Sequence, residues 1–558
     1  MTLRQKTWSF SNVQTSPSGL TVVHVQRFLL LISLCFLASC DGTRPVSEAT
    51  EEGILLLGNG AEPKALDLQL IADVSSGNIA RALFEGLVID DVKEDSVARP
   101  GAAERWESND DFTVWTFHLR PGTKWSDGVP VTSHDFLFAY QRMLEPAFAA
   151  RYASMLYYIK GAEAFNKGET TDFSTVGLRA PDDLTLEVTL RSPIPFLPEI
   201  TKHTTWYPVP KHCVLEHGKM TDRFTDWTKT ENIVCNGPFV LKQRRVMHSV
   251  EVVKNPNYWD ADTVRLKGIN FYPVTNTYTE SRMFFDGLLH KTDTLPAEII
   301  SLAKKDTPDL LHIDPYVGVR FIRCNTQHPL LKNKDFRMAL AYSIDRKRLV
   351  ETITQGGEVA AYGMVPPFGN YETPNSVNFD PDKAREYLKK ANVGDLGSFP
   401  KLRFLTTSRD TARRNAEAFQ AMWQETLGIG VRIEQLDWST FQERERQGQY
   451  DLSAGGWIGD FLDPTTFLDM WRPGDGNNKT YWENPSYIDA LTKAETTGDP
   501  VARMKVLEQA ESVLMSDMPV IPTYWYSKKS LMSPDVRNWN PLLLNNQPFK
   551  HVYLEASN

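Results

Sequence analysis

The chain has 558 residues, 41% hydrophobic and 23% charged. That length exceeds the roughly 100–200 residues that one hydrophobic core organises, so two or more lobes are expected. Its net charge is −9, from 61 basic and 70 acidic side chains, and no long basic run follows the first forty residues. Nucleic acid is thereby excluded as a partner, since phosphate recognition needs clustered cations.

An apolar run at 28–39 follows directly on Arg27. A helix crossing a bilayer needs about 20 residues, so the run is too short to span and reads as a secretory signal over 1–39. The alternative is a buried amphipathic helix. The run ends in Leu37-Ala38-Ser39-Cys40, which resembles the lipobox of bacterial lipoproteins and implies lipidation at Cys40. Residues 41–52 are small, polar and acidic and read as a flexible tether, so the lipidated tether is placed at 40–52.

Beyond it, 53–58 reads as a buried strand and 114–119 as an alternating one. Pro121-Gly122 and Ser126-Asp127-Gly128 mark turns. Ser133–Leu144 reads as a helix with Ser133 at its N-cap and Phe136, Tyr140 and Met143 on one face. A further strand is expected at 184–190. Helices are expected at 333–355, 380–391, 411–427 and 500–516, and strands at 401–406, 431–436 and 520–526. The pattern is mixed α/β with no internal repeat and no single linker, which favours interleaved lobes over beads on a string.

Little in the sequence suggests catalysis. There is no phosphate loop, no G-x-S-x-G elbow and no H-E-x-x-H, and Gly58-Asn59-Gly60 lacks the third glycine of a dinucleotide fingerprint. His212 and His217 are five residues apart and do not share a helix face, so no metal is expected there. Asp460 and Asp463 have the spacing of many unrelated acid pairs and identify no glycosidase. No cofactor is implied. Cys213 and Cys235 lie 22 residues apart, a spacing that leaves both a disulfide and free thiols open.

Several segments, taken in order, carry a resemblance. They include Glu62–Asp67, Asn78–Leu87, Pro100–Trp106 and Trp115–Phe136. Asn236–Phe239, Asn255–Trp259, Asp335–Arg346, Gly456–Pro464 and Pro519–Tyr524 follow. Together they resemble the oligopeptide-binding protein family (solute-binding protein family 5), the extracytoplasmic receptors of peptide ABC importers. Leu68 stands where that family usually has proline.

The resemblance implies an α/β, two-lobed periplasmic-binding-protein-like fold, class II of the large type, with an extra domain on the first lobe. Lobe I would comprise 53–84, 208–317 and 526–558, the extra domain 85–207, and lobe II 318–525. It implies a monomeric receptor, not an enzyme, outside the cytoplasm. Its partners would be short peptides, the permease and ATPase subunits of an importer, and a membrane reached through the lipid.

Asp460, in Trp457-x-x-Asp460, would meet the peptide amine. From the residues alone, an Asp flanked by Trp457, Phe461 and Phe467 is a functional charge or a turn cap. Trp457 would line a side-chain pocket and Tyr152 would face the ligand. Tyr316 and Phe321 would touch it at the first crossing between lobes, Tyr524 and Tyr526 near the second. Where some longer-peptide receptors carry a cation, this chain has Ser453, Ala454 and Gly455; Arg320, Arg409, Arg413, Arg414 and Arg446 are the alternatives. Relatives with this fold bind wall peptides, metal chelates or oligosaccharides, and an exported hydrolase or a lipid-anchored scaffold is the reading from a different class.

Overall fold

The computed structural model describes residues 44–557 except 96, 395, 396 and 398; the expected signal and Cys40 lie outside the described residues. Helix α1 (Val46–Glu52) ends at Gly53, whose φ of 70° is the left-handed conformation that closes a helix. Ala49 is buried in one apolar cluster with Leu56, Phe284 and Ile300, and Val46 packs against it. The tether expected over 40–52 is therefore corrected from Val46 onward, because Val46 and Ala49 give one helical turn an apolar face to bury.

Strand β1 (Ile54–Gly58) and helix α2 (Val74–Leu83) follow, then β2 (Ala103–Ser108), β3 (Val114–Leu119), helix α3 (Ser133–Leu144), β4 (Leu178–Asp182) and β5 (Thr185–Thr189). Along β3 every second side chain is buried, as its alternation dictates. The α3 cap is Thr132 rather than Ser133: Thr132 and Asp135 form a reciprocal capping box. Next come β6 (Phe239–Arg245), β7 (Ser249–Lys254) and β8 (Gly268–Tyr272). Strands β1-β8-β7-β6 form one sheet and β2-β3-β5-β4 a second.

The remainder comprises β9 (Leu311–Cys324), α4 (Lys334–Tyr342), β10 (Val359–Ala360), α5 (Pro381–Ala391), β11 (Leu402–Thr407), α6 (Asp410–Leu427) and β12 (Val431–Leu436). It continues with α7 (Trp438–Arg446), β13 (Leu452–Ile458), α8 (Pro485–Glu495), α9 (Pro500–Asp517) and β14 (Val520–Leu531). The single helix expected over 333–355 is broken after Tyr342. Asp345 takes the backbone N–H of Arg348 and restarts the helix there, a side-chain bond that competes with the helical ladder. These strands form a six-stranded sheet in the order β10-β14-β9-β13-β11-β12. Separate apolar clusters pack around it, one with Phe404, Phe419 and Trp423, the other with Phe321, Trp471 and Leu507.

Strands β9 and β14 tie the halves together. They pair antiparallel from Leu311↔Leu531 to Arg323↔Val520, with a wide break in register between Pro315 and Val319 and a further shift between Arg320 and Phe321. Below the break, Ile313 and Leu531 pack in the α1 cluster; above it, Val319 and Val520 pack with Trp471. The chain thus passes between two cores on adjacent strands, and the break falls at Tyr316–Gly318.

The Asp67 carboxylate anchors α3: it accepts from Arg142 at 2.7 and 3.0 Å and from the Trp227 indole at 3.2 Å. Arg142 is fully buried. Cys213, Cys235 and Cys324 are buried free thiols, so the Cys213–Cys235 question resolves to no bond. His212 pairs with Asp127 at 2.8 Å, and His217 Nδ1 meets the Cys213 carbonyl. Among the described residues no group of His, Cys, Asp and Glu is placed to hold a metal ion.

Candidate functional site

A cavity of about 650 Å³ opens between the two halves. Its wall takes Asn78 and Arg81 from α2, Arg151 and Tyr152 from the loop after α3, Tyr316 and Arg320 from β9, and Tyr524 and Tyr526 from β14. The centre of one wall is β13. That strand pairs with β9 along its whole length, but with β11 only at Leu452 and Ser453. From Ala454 to Ile458, five residues, its other edge has no strand partner among the described residues. An open edge of this kind offers a row of backbone donors and acceptors to an extended ligand.

Gly455 and Gly456 permit the close approach. A Cβ on Gly455 would lie 2.4 Å from the Phe321 ring, and one on Gly456 2.3 Å from the Tyr526 hydroxyl. Phe321 itself is fully buried, edge-on to Trp471 at 5.5 Å, and is not part of the cavity wall. The expectation that Phe321 touches ligand is corrected: side chains alternate along β9, so Arg320 faces the cavity and its neighbour faces the core.

Asp460 follows β13. Its backbone N–H donates to Thr466 Oγ1 at 3.1 Å, the same oxygen that the Trp457 indole approaches at 3.5 Å. The next residue, Phe461, is buried between Tyr158 and Phe196, with ring centroids 6.4 and 6.1 Å away. The backbone at Asp460 is thus fixed on both sides. Its carboxylate lines the cavity and has no hydrogen-bond or ion-pair partner among the described residues. Burial alone pushes its pKa up to about 7, because an enclosed charge without a partner is costly.

Asp463, three residues on, is different. It is buried, bound to Arg503 at 2.6 and 2.9 Å, and accepts from the Thr465 hydroxyl at 2.6 Å. The two carboxylates therefore do not act as a pair: one holds the fold together and the other faces the cavity.

Trp457, Tyr152, Tyr316 and Tyr524 line the same cavity as Asp460. Tyr152 lies 5.9 Å from the His203 ring; burial, and then the nearby Asp460, raises its phenol. His203 is neutral, driven down to about 3 by burial and then by Arg81. The Tyr524 hydroxyl accepts from Asn415 Nδ2 at 3.0 Å, while Asn415 Oδ1, buried on the cavity wall, has no hydrogen-bond partner among the described residues.

Of the five arginines considered for a ligand carboxylate, Arg320 and Arg409 line the cavity. Arg413 is paired with Asp410 and Glu417, Arg414 with Asp410 and Glu298, and Arg446 with Glu443. Sequence reasoning missed Arg81, Arg151, Arg323, Lys479 and Glu445, all on the wall. Arg323 and Lys479 hold the Glu445 carboxylate at 2.8 and 2.9 Å. No spacing in the sequence links these three. Strand β9 also carries the cations that β13 lacks, with Arg320 opposite Gly456 and Arg323 opposite Ser453.

Residues 98–479 match the family described as bacterial extracellular solute-binding proteins, family 5. The chain belongs to that family. It is 33% identical over 520 residues to the oligopeptide-binding protein OppA of Bacillus subtilis, covering 89% of this chain and 93% of that one. Among solved structures it superposes on the Escherichia coli murein tripeptide-binding protein MppA with a TM-score of 0.79 at 29% identity, covering 90% of this chain and 98% of that one. Haemophilus influenzae OppA in complex with RPPGFSPFR gives a TM-score of 0.77 at 29% identity, covering 90% and 99%. The mixed helices and sheets described above are the two-lobed α/β architecture of this family.

Proposed function

We propose that this protein captures short peptides outside the cytoplasm between its two lobes and hands them to an ABC-type membrane importer. The carrying observation is Asp460, a fixed, enclosed carboxylate with no partner among the described residues, at the end of an open strand edge. An ammonium supplies the missing partner through charge-assisted hydrogen bonds. The peptide backbone then continues along Ala454–Ile458 as an added strand, which gives affinity with little sequence preference. The names of the relatives, oligopeptide-binding and murein tripeptide-binding proteins, support the same ligand class.

Trp457, Tyr152, Tyr316 and Tyr524 form the walls around the ligand, and Arg320 and Arg409 are the cations for its carboxylate end. The β9–β14 ribbon, broken at Tyr316–Gly318, is the hinge between a lobe I of 53–84, 208–317 and 526–558 and a lobe II of 318–525, with 85–207 as the extra domain. Ligand touching both lobes favours the closed form by its differential affinity. Lipidation at Cys40 would hold the receptor at a membrane. The role is carriage, not catalysis.

Native mass spectrometry of the protein purified from its own host tests the reading. Bound peptides released on unfolding are the expected result. A bound sugar, metal chelate or other amine-free ligand would overturn it, and hydrolysis of added peptide would show an enzyme instead.

A further inference from the structure

The chain as a whole is acidic, at −9, but its cavity is not. Among the described residues six cations line the wall: Arg81, Arg151, Arg320, Arg323, Arg409 and Lys479. Three carboxylates face them: Asp73, Glu445 and Asp460. Asp73 is spent at the start of α2, where it accepts from the Ser76 N–H and hydroxyl at 2.9 Å. Glu445 is closed within its pairs to Arg323 and Lys479.

That leaves Arg81, Arg151, Arg320 and Arg409 without an ion pair among the described residues, against the single carboxylate of Asp460. A peptide with only its two terminal charges satisfies Asp460 and one of the four arginines. The remaining cations line the same cavity, Arg81 and Arg320 half-buried and Arg151 and Arg409 exposed, and like charges drawn together into a closed volume repel more strongly than in water. They come from both halves of the protein, Arg81 and Arg151 from one and Arg320 and Arg409 from the other, so closure brings them together.

Granted a peptide ligand, we propose that the cavity selects peptides of net negative charge, carrying two or more acidic side chains beyond the terminal carboxylate. Those side chains neutralise the opposed arginines and bind the two lobes to each other. A neutral peptide leaves that repulsion in place, and a basic one adds to it. Arginine suits the task, because its planar fork meets a carboxylate with two parallel hydrogen bonds.

The test is isothermal titration of the purified protein with three tetrapeptides of equal length, Ala-Glu-Glu-Ala, Ala-Gln-Gln-Ala and Ala-Lys-Lys-Ala. The order of affinity should be Glu over Gln over Lys, with about tenfold or more per glutamate over its isosteric amide. The Glu-to-Gln ratio should shrink between about 0.1 M and about 1 M salt, and Arg320→Gln or Arg409→Gln should each lower it. Equal affinity for the Glu and Gln peptides, or tightest binding of the Lys peptide, overturns the charge selection and leaves the peptide reading standing. If none of the three binds, the peptide reading fails and the selection fails with it.

Discussion

Replacing Asp460 by Asn removes one charge and keeps the shape. In the free protein that charge is expensive: raising a carboxyl from 3.8 to about 7 corresponds to about 4 kcal/mol of unfavourable burial at high pH. A ligand ammonium offsets this cost in the complex. With Asp460→Asn the ammonium is enclosed without its counter-charge, a loss of about 3–5 kcal/mol, which is roughly two to four orders of magnitude in affinity. Titration calorimetry with a peptide and its N-acetylated form makes the measurement specific. Acetylation and Asp460→Asn should each weaken binding, and together they should weaken it little more than either alone, because both delete one interaction. If the acetylated peptide binds the unaltered protein as tightly as the free one, or if Asp460→Asn leaves the free peptide's affinity intact, the amine-anchor reasoning is wrong.

The same substitution should stabilise the ligand-free protein above pH 7. The raised carboxyl keeps its proton in the folded state but not the unfolded one between about pH 4 and 7, so stability falls as pH rises through that window. Thermal melts at pH 8 should therefore favour Asp460→Asn, with the difference fading toward pH 4. Peptide affinity of the unaltered protein should fall about tenfold per pH unit below 7. Near pH 6 binding should release close to one proton, read from the buffer dependence of the calorimetric heat. Asp67→Ala, which strands the fully buried Arg142, should cost about 3–5 kcal/mol in denaturant unfolding. Gly455→Ala, whose Cβ would sit 2.4 Å from the Phe321 ring, should cost about 1–3 kcal/mol and disturb the binding edge. Phe461→Ala should destabilise by about 3–5 kcal/mol and weaken peptide binding without removing any cavity-wall side chain.

Local pattern was enough for much of the scaffold. The alternation of Val114–Leu119, the amphipathic face of Ser133–Leu144 and the helix expected over 411–427 depend on neighbours a few positions away, and those neighbours are written in the chain. The Trp457-x-x-Asp460 motif also pointed to the residue that stands at the cavity. Without that resemblance, residue type and spacing do not separate Asp460 from Asp463, which share a neighbourhood. Arg503, forty residues further on, neutralises one of them and leaves the other facing the cavity. Nor could it tell Arg320 from Phe321 as the ligand-facing residue, because the register break in β9 and the core beneath it decide which side is which. The cationic lining is the clearest case: Arg81 and Arg409 are 328 positions apart in an acidic chain. They meet at one cavity because the β9–β14 ribbon carries the chain across and back, and the charge of a cavity depends on which residues face it together, not on how many the chain contains.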